Sequence, residues 1–366
     1  MNSRIFFASD LHGSELAMNK LLNAAQFYGV KRIVVGGDIT GKVLVPIIRE
    51  GNRYSLELFG EQKRVKESGL EEVQREIRLN GEYYHIMERG EYEAVKDNPA
   101  GIKKLFLEEM LGSLDAFIRK AHEKLHASGA RLFLIPGNDD YEEVAQYIKK
   151  NSDDVVTEFD KKVVDMDGYD LLGYGYSNRT PWNTPRERDE STIQSELSAL
   201  SSKADSAKAI YVIHVPPFGT KIDLAPELTR DMKQKVSSGY MHMHPVGSTA
   251  VRKILEEAQP IAGLHGHIHE SSGRDVIRAG NGNEVPVFNP GSDYSSGVLD
   301  GLIIDFDGRK ITRYNFTKGL DGNRGRTDKQ VDRARLQGYR EEDTLEAVRR
   351  AGGGISRAER PRRKGA

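Results

Sequence analysis

Aspartate, histidine and asparagine recur at five places along the 366-residue chain: Asp10-Leu11-His12, Gly37-Asp38, Asn138-Asp139-Asp140, His214, and His267-Ile268-His269. Carboxylate, imidazole and amide oxygen are hard-to-borderline donors. They suit Mn²⁺, Zn²⁺ or Fe, without the thiolates that would favour copper(I) or iron–sulfur clusters. Asp10, His12, Asp38, Asn138, His214, His267 and His269 are too many for one tetrahedral ion, but they suit two ions that share a carboxylate. Spacing supports convergence. Asp10 and His12 are two residues apart, as are His267 and His269, and alternate residues of an extended segment point to one side.

Groups so distant in sequence meet only if strand ends share one rim. Ile5-Phe6-Phe7-Ala8 reads as a buried strand. Ser14 then caps a helix whose Met18, Leu21, Leu22 and Ala25 follow helical spacing up to Gly29, and Ile33-Val34-Val35 is the next strand. This is a βαβ unit, whose parallel strands end on the same rim and make Asp10 and Asp38 neighbours. Residues 42–100 break the pattern with a hairpin and a charged helical stretch, and read as an insertion. A helix from Ile102 to His126 and the strand before Pro136-Gly137-Asn138-Asp139-Asp140 resume it. The second half is richer in strands, with Ala209–Ile213 ending at His214 and Ile261–Leu264 leading to His267. In open α/β sheets the ligand crevice lies beyond the carboxyl ends of the strands, where all five clusters stand.

With no cysteine, disulfides, thiolate metal sites and cysteine nucleophiles are excluded. A net charge of −1 argues against a global polyanion binder. The short apolar run near the start is too brief for a signal peptide or membrane span, so a cytoplasmic protein is expected.

In this order the motifs D-x-H, G-D, G-N-x-D, a lone H after a strand and G-H-x-H resemble the calcineurin-like metallophosphoesterase superfamily. IHVPPFGTKID, HPVGS, LHGHIHES and NPGSDYSSGVLDG more narrowly resemble its Icc-related phosphoesterases. The similarity runs over roughly residues 3 to 316 apart from the insertion. It implies a four-layer α/β/β/α sandwich, here over residues 1–41 and 101–318; the broken pattern reads as a cap-like insertion at 42–100, and the loss of apolar periodicity as a charged, disordered tail at 319–366. The resemblance also implies that Asp10, His12 and His269 hold one metal and Asn138, His214 and His267 the other, with Asp38 bridging. Mn²⁺ leads Zn²⁺ and Fe as the expected ion. Two such cations activate a bridging water as hydroxide and stabilise in-line displacement at phosphorus.

Position 139 departs from the pattern. Much of the superfamily has His there, whereas this chain has Asp139, a poor acid at neutral pH and a like charge beside phosphate unless protonated or turned away. General-acid help is worth roughly 10²–10⁴-fold, so its loss favours esters with good leaving groups. The resemblance is compatible with phosphodiesters as substrates, because some branches of the superfamily that lack that His look like phosphodiesterases. Asp140 is expected to orient its neighbours by hydrogen bonds, and His244, in a loop without strand signal, to line the substrate side. His122, His126 and His85 read as surface, His265 as packing beneath the site, and Tyr174, Tyr176 and Trp182 as structural aromatics. A metal-dependent nuclease, for which the sequence shows no broad basic groove, and a protein-binding scaffold with a degenerate site are the competing functions; the basic end from Arg357 to Lys364 reads as a solvated end. Nucleic acid is not the favoured partner, and the oligomeric state is left open.

Overall fold

Successive residues of the central strands enter different cores. In the strand Asn2–Ala8, Phe6 and Ala8 join one apolar cluster and Ile5 and Phe7 another. Ile33 and Val35 likewise separate from Val34, and Leu132 and Leu134 from Phe133. Such strands are buried on both faces, which explains their unbroken apolar runs.

The computed structural model describes residues 2–229, 233–237 and 240–318. The expected tail at 319–366, with its basic end, lies outside the described residues. The first sheet runs in the order Lys310–Lys318, Asp300–Asp307, Asn2–Ala8, Arg32–Val35, Arg131–Leu134 and Val156–Glu158. The second runs Gly273–Arg278, Glu284–Asn289, Ala262–Leu264, Ala209–Ile213, Tyr169–Tyr174 and Lys162–Met166.

Ile5, Phe7, Phe133, Leu171, Ile210 and Leu264 fill the space between the sheets. Helices Glu15–Phe27, Pro99–Ser128 and Glu142–Lys150 cover the outer face of the first sheet. Glu190–Ser201 and Thr249–Ala258 cover that of the second. The result is the four-layer α/β/β/α sandwich expected. No helix among the described residues is long and apolar enough to cross a membrane.

Residues 44–88 form a separate four-stranded sheet in the order Glu61–Lys66, Arg53–Leu58, Leu44–Glu50 and Tyr83–Glu88, with Leu70, Val73 and Ile77 of the helix Glu67–Leu79 packed on it. Two of these strands had no sequence signal. Glu61–Lys66 is charged and largely exposed, an edge strand held by backbone pairing to Arg53–Leu58 rather than by apolar alternation. This sheet abuts the sandwich so closely that a Cβ on Gly81, whose φ is +81°, would lie 2.0 Å from the His12 carbonyl oxygen. Glycine is required there.

Candidate metal centre

The parallel pairs of the first sheet, Asn2–Ala8 with Arg32–Val35 and Arg32–Val35 with Arg131–Leu134, bring Asp10, Asp38 and Asn138 to one rim. The pair Ala209–Ile213 with Ala262–Leu264 does the same for His214 and His267 in the second sheet. The two rims are stitched together. His214 Nδ1 lies 2.8 Å from Gly36 O, and the His267 N–H donates to Asp10 Oδ2 at 3.0 Å.

Asp10, His12 and His269 form one group of donor atoms lying within 4.8 Å of one another, and Asp38, His214 and His267 form a second. Asp38 Oδ2 stands between them, 3.7 Å from His12 Nε2 and 3.4 Å from His214 Nε2. Asn138 Oδ1 is 2.9 Å from His214 Nε2.

The convergence has a different cause from the one expected. Asp10, His12, Asp38 and His267 are not in extended segments whose alternate residues share a side; their φ values are 57°, 44°, 49° and 67°. Left-handed backbone at non-glycine residues costs about 1–3 kcal/mol each and persists only where surroundings over-determine it. Here they do. The Asp10 N–H donates to Gly37 O at 3.0 Å, His12 N–H to Asp38 O at 2.9 Å and Gly13 N–H to Ile39 O at 2.8 Å.

The Asn138 side-chain amide donates to Thr184 Oγ1 at 2.9 Å, which turns its carbonyl oxygen toward His214. Thr184 in turn donates to Glu187 Oε1 at 2.9 Å, and the buried Arg186 donates its backbone N–H to Asn138 O at 3.0 Å. Asp140, fully buried, accepts from Ile39 N, Thr40 N, Thr40 Oγ1 and Gly137 N at 3.0, 2.9, 2.5 and 2.7 Å, tying the Asp38 loop to the Asn138 turn. A Cβ at Gly137 would sit 2.1 Å from Asp38 Oδ1, so only glycine lets these loops meet. Asn289 supports the opposite side, donating to Ile268 O at 2.9 Å. Thr184, Arg186 and Asn289 had no signal marking them as supports beyond the NPGS stretch that contains the last.

This donor set fits cations. His12 and His269 present Nε2 atoms 3.0 Å apart, and His214, with Nδ1 against a carbonyl, turns Nε2 toward an amide oxygen and a carboxylate. Nitrogen and oxygen donors that converge this closely from separate elements are the ligand types and spacing that divalent cations take. Burial pushes His12 well below the usual imidazole range, and burial together with the charge of His214 pushes His267 down to about 3. Both are then neutral, the form that ligates metals. Burial and the charge of Asp139 push Asp38 up, while Asp38 holds His214 up against its own burial.

Asp139 faces the centre rather than turning away. It forms an ion pair with Lys42, a residue that spacing gave no reason to single out. Burial alone would raise the Asp139 pKa, but Lys42 brings it below the ordinary carboxylate range. Lys42 and Asp139 line a cleft of roughly 640 Å³ that opens from Asp38, Asn138, His267 and His269.

Trp182 and His244 also line the cleft, so Trp182 is not the purely structural aromatic expected. The stretch holding His244 is a strand, Met243–Pro245, paired with Leu224–Pro226 rather than a loop; backbone pairing supplied what its composition did not announce. Tyr174 and Tyr176 are buried, with hydroxyls donating to Glu196 and Glu142. His265 is buried with Nδ1 2.8 Å from Ile213 O. His122 lies half-exposed near Asp153, His126 is exposed, and His85 pairs with Glu109.

No family model matches the chain. An uncharacterized protein of Methanocaldococcus jannaschii, MJ1162, is 32% identical over 159 residues, which are 43% of this chain and 62% of the relative; the match therefore spans less than two thirds of that protein. Among solved structures, TT1561 of Thermus thermophilus is 14% identical with a TM-score of 0.44, covering 87% of this chain and 99% of that one. A structure described as an archaeal phosphodiesterase is 12% identical with a TM-score of 0.34, covering 86% and 99%. The NAD nucleotidase of Haemophilus influenzae is 11% identical with a TM-score of 0.40, covering 96% and 67%. The four layers are the α/β/β/α architecture that the sequence resemblance implied.

Proposed function

We propose that the chain is a metal-dependent phosphoesterase acting on phosphodiesters. The observation that carries this reading is Asp38 Oδ2, poised between His12 and His214 with a separate set of buried donors behind each. Asp10, His12 and His269 would hold one divalent cation and Asn138, His214 and His267 the other, with Asp38 shared; Mn²⁺ is the proposed ion. When bound, such a pair supplies water activation and stabilises charge on the phosphoryl oxygens.

The side chains define the rest. Asn138 brings an oxygen without negative charge, so the centre stays attractive to an anionic substrate. Asp139, kept ionised by Lys42, does not donate a proton to a departing oxygen. The help of a general acid is therefore missing at this position, and esters with stable leaving groups react best. The cleft is large enough for a second ester substituent, and Trp182 and Phe218 give it apolar wall. Both features favour diesters.

Mn²⁺-loaded protein should hydrolyse a phosphodiester bearing an activated phenolate faster than a simple alkyl monoester. A clear preference for the alkyl monoester contradicts the diester assignment. Metal binding without hydrolysis of any activated ester would favour the protein-binding scaffold instead.

A further inference from the structure

The ion pair beside the centre has a geometry that assigns it a task. Lys42 leaves the sandwich directly after Gly41, whose N–H donates to Tyr83 Oη at 2.7 Å, so its backbone is anchored between the sandwich and the smaller sheet. Its side chain is only 14% exposed and that of Asp139 only 11%. Burying both charges is tolerable because they pair; either one alone would be costly.

Asp139 is in turn fixed to the centre, since its N–H donates to Asp38 Oδ1 at 2.9 Å and it follows Asn138 directly. The ammonium therefore has a set position next to the shared carboxylate, and it faces the cleft along with Asp38, Asn138, His267 and His269. Tyr294, whose ring lies 4.6 Å from that of His12, closes the same side.

A salt bridge serving only stability would gain nothing from this place, because buried pairs are weak contributors to folding. A fixed ammonium at the mouth of a phosphoester site offers a charge-assisted contact to a non-bridging oxygen. A second use of Asp139 is also present, because one of its oxygens lies within 4.8 Å of donor atoms of His12 and Asp38. The oxygen paired with Lys42 is Oδ2, and the ion count in the variants below separates a ligand role from an anchoring one.

We propose that Lys42 binds a phosphoryl oxygen of the substrate and that Asp139 is the anchor which aims it, a positioning residue rather than an acid or a ligand. The proposal rests on the phosphoesterase reading above. It places a permanent cation where the sequence pattern has exchanged His for Asp, and the pair adds no net charge to the centre.

The test uses the full chain loaded with Mn²⁺, with inorganic phosphate as the probe. Phosphate binding is followed by calorimetry, Mn²⁺ stoichiometry by elemental analysis, and hydrolysis of an activated diester in parallel. Lys42→Met should weaken phosphate binding by roughly 10–100-fold, the worth of a charge-assisted hydrogen bond, with Mn²⁺ stoichiometry unchanged. Lys42→Arg, which keeps the charge, should recover much of the loss, and Asp139→Asn should weaken phosphate binding less than Lys42→Met while retaining both ions.

Phosphate affinity in Lys42→Met equal to wild type overturns the proposal, as does a wild type that binds no phosphate. Loss of an ion in Asp139→Asn also overturns it, by making Asp139 a ligand. If Lys42→Met does not fold, Lys42→Arg and Asp139→Asn decide: wild-type phosphate affinity in Asp139→Asn refutes the anchor. Wild type that hydrolyses the diester while Lys42→Met binds phosphate normally defeats only this inference; wild type without metal or hydrolysis defeats the reading beneath it.

Discussion

At and beneath the floor of the cleft, Asp10, Asp38, Asn138 and His214 are sealed from solvent and tied to neighbouring loops, whereas on its wall Trp182 is half-buried, His244 is exposed and Phe218 is 39% exposed. The floor spends backbone strain to hold its groups: Asp10 and Asp38 are left-handed, and Asp140 alone accepts four hydrogen bonds to keep two loops together. The wall carries apolar surface open to whatever enters. Rigid placement of donors suits chemistry whose geometry is fixed, and adaptable apolar wall suits selection among substituents. Substitutions on the floor should therefore act on metal and rate together, and those on the wall on binding alone.

The largest effect is expected at the shared carboxylate. Asp38→Asn should lower kcat/KM on an activated diester by roughly 10³-fold, several kcal/mol of transition-state stabilisation, and should drop the bound Mn²⁺ by at least one equivalent. Both readouts must move, because one carboxylate serves both ions on this account. Asp140→Asn touches no proposed ligand position, yet it replaces an acceptor of four donors with a group that is half donor. It should cost about 10–100-fold in metal affinity or activity, checked by metal titration alongside kinetics. If it behaves as wild type, the floor is less over-determined than the hydrogen bonds indicate.

The smallest effect belongs to the wall. Trp182→Ala should raise KM for a diester carrying an aromatic substituent by about fivefold or more, consistent with stacking worth about 1–3 kcal/mol, and leave kcat and Mn²⁺ stoichiometry unchanged. A fall in kcat instead would dissolve the distinction between floor and wall.

The same division separates what the sequence makes legible from what it hides. The floor could be read because its groups follow apolar runs whose parallel pairing forces strand ends together, as Asn2–Ala8 and Arg32–Val35 do. Even there the reason was only partly visible. Alternation along extended backbone suggested that Asp10 and His12 share a side, while left-handed turns held by Gly37 O and Asp38 O bring them together.

Lys42 could not be read, since Gly-Lys-Val carries no motif and its partner Asp139 arrives from a different strand end. The strand Glu61–Lys66 was hidden for another reason: its exposed, charged side chains bury little, and its backbone pairing leaves no mark in composition. Trp182 and His244 belong to segments positioned by the tertiary fold, so their facing the cleft has no counterpart in local spacing.

The most direct test is a crystal structure of Mn²⁺-reconstituted protein with anomalous scattering recorded at the metal edge. The account predicts two peaks, one among Asp10, His12 and His269 and one among Asn138, His214 and His267, with Asp38 touching both. A single peak, or peaks that leave Asp38 without a metal contact, would contradict it.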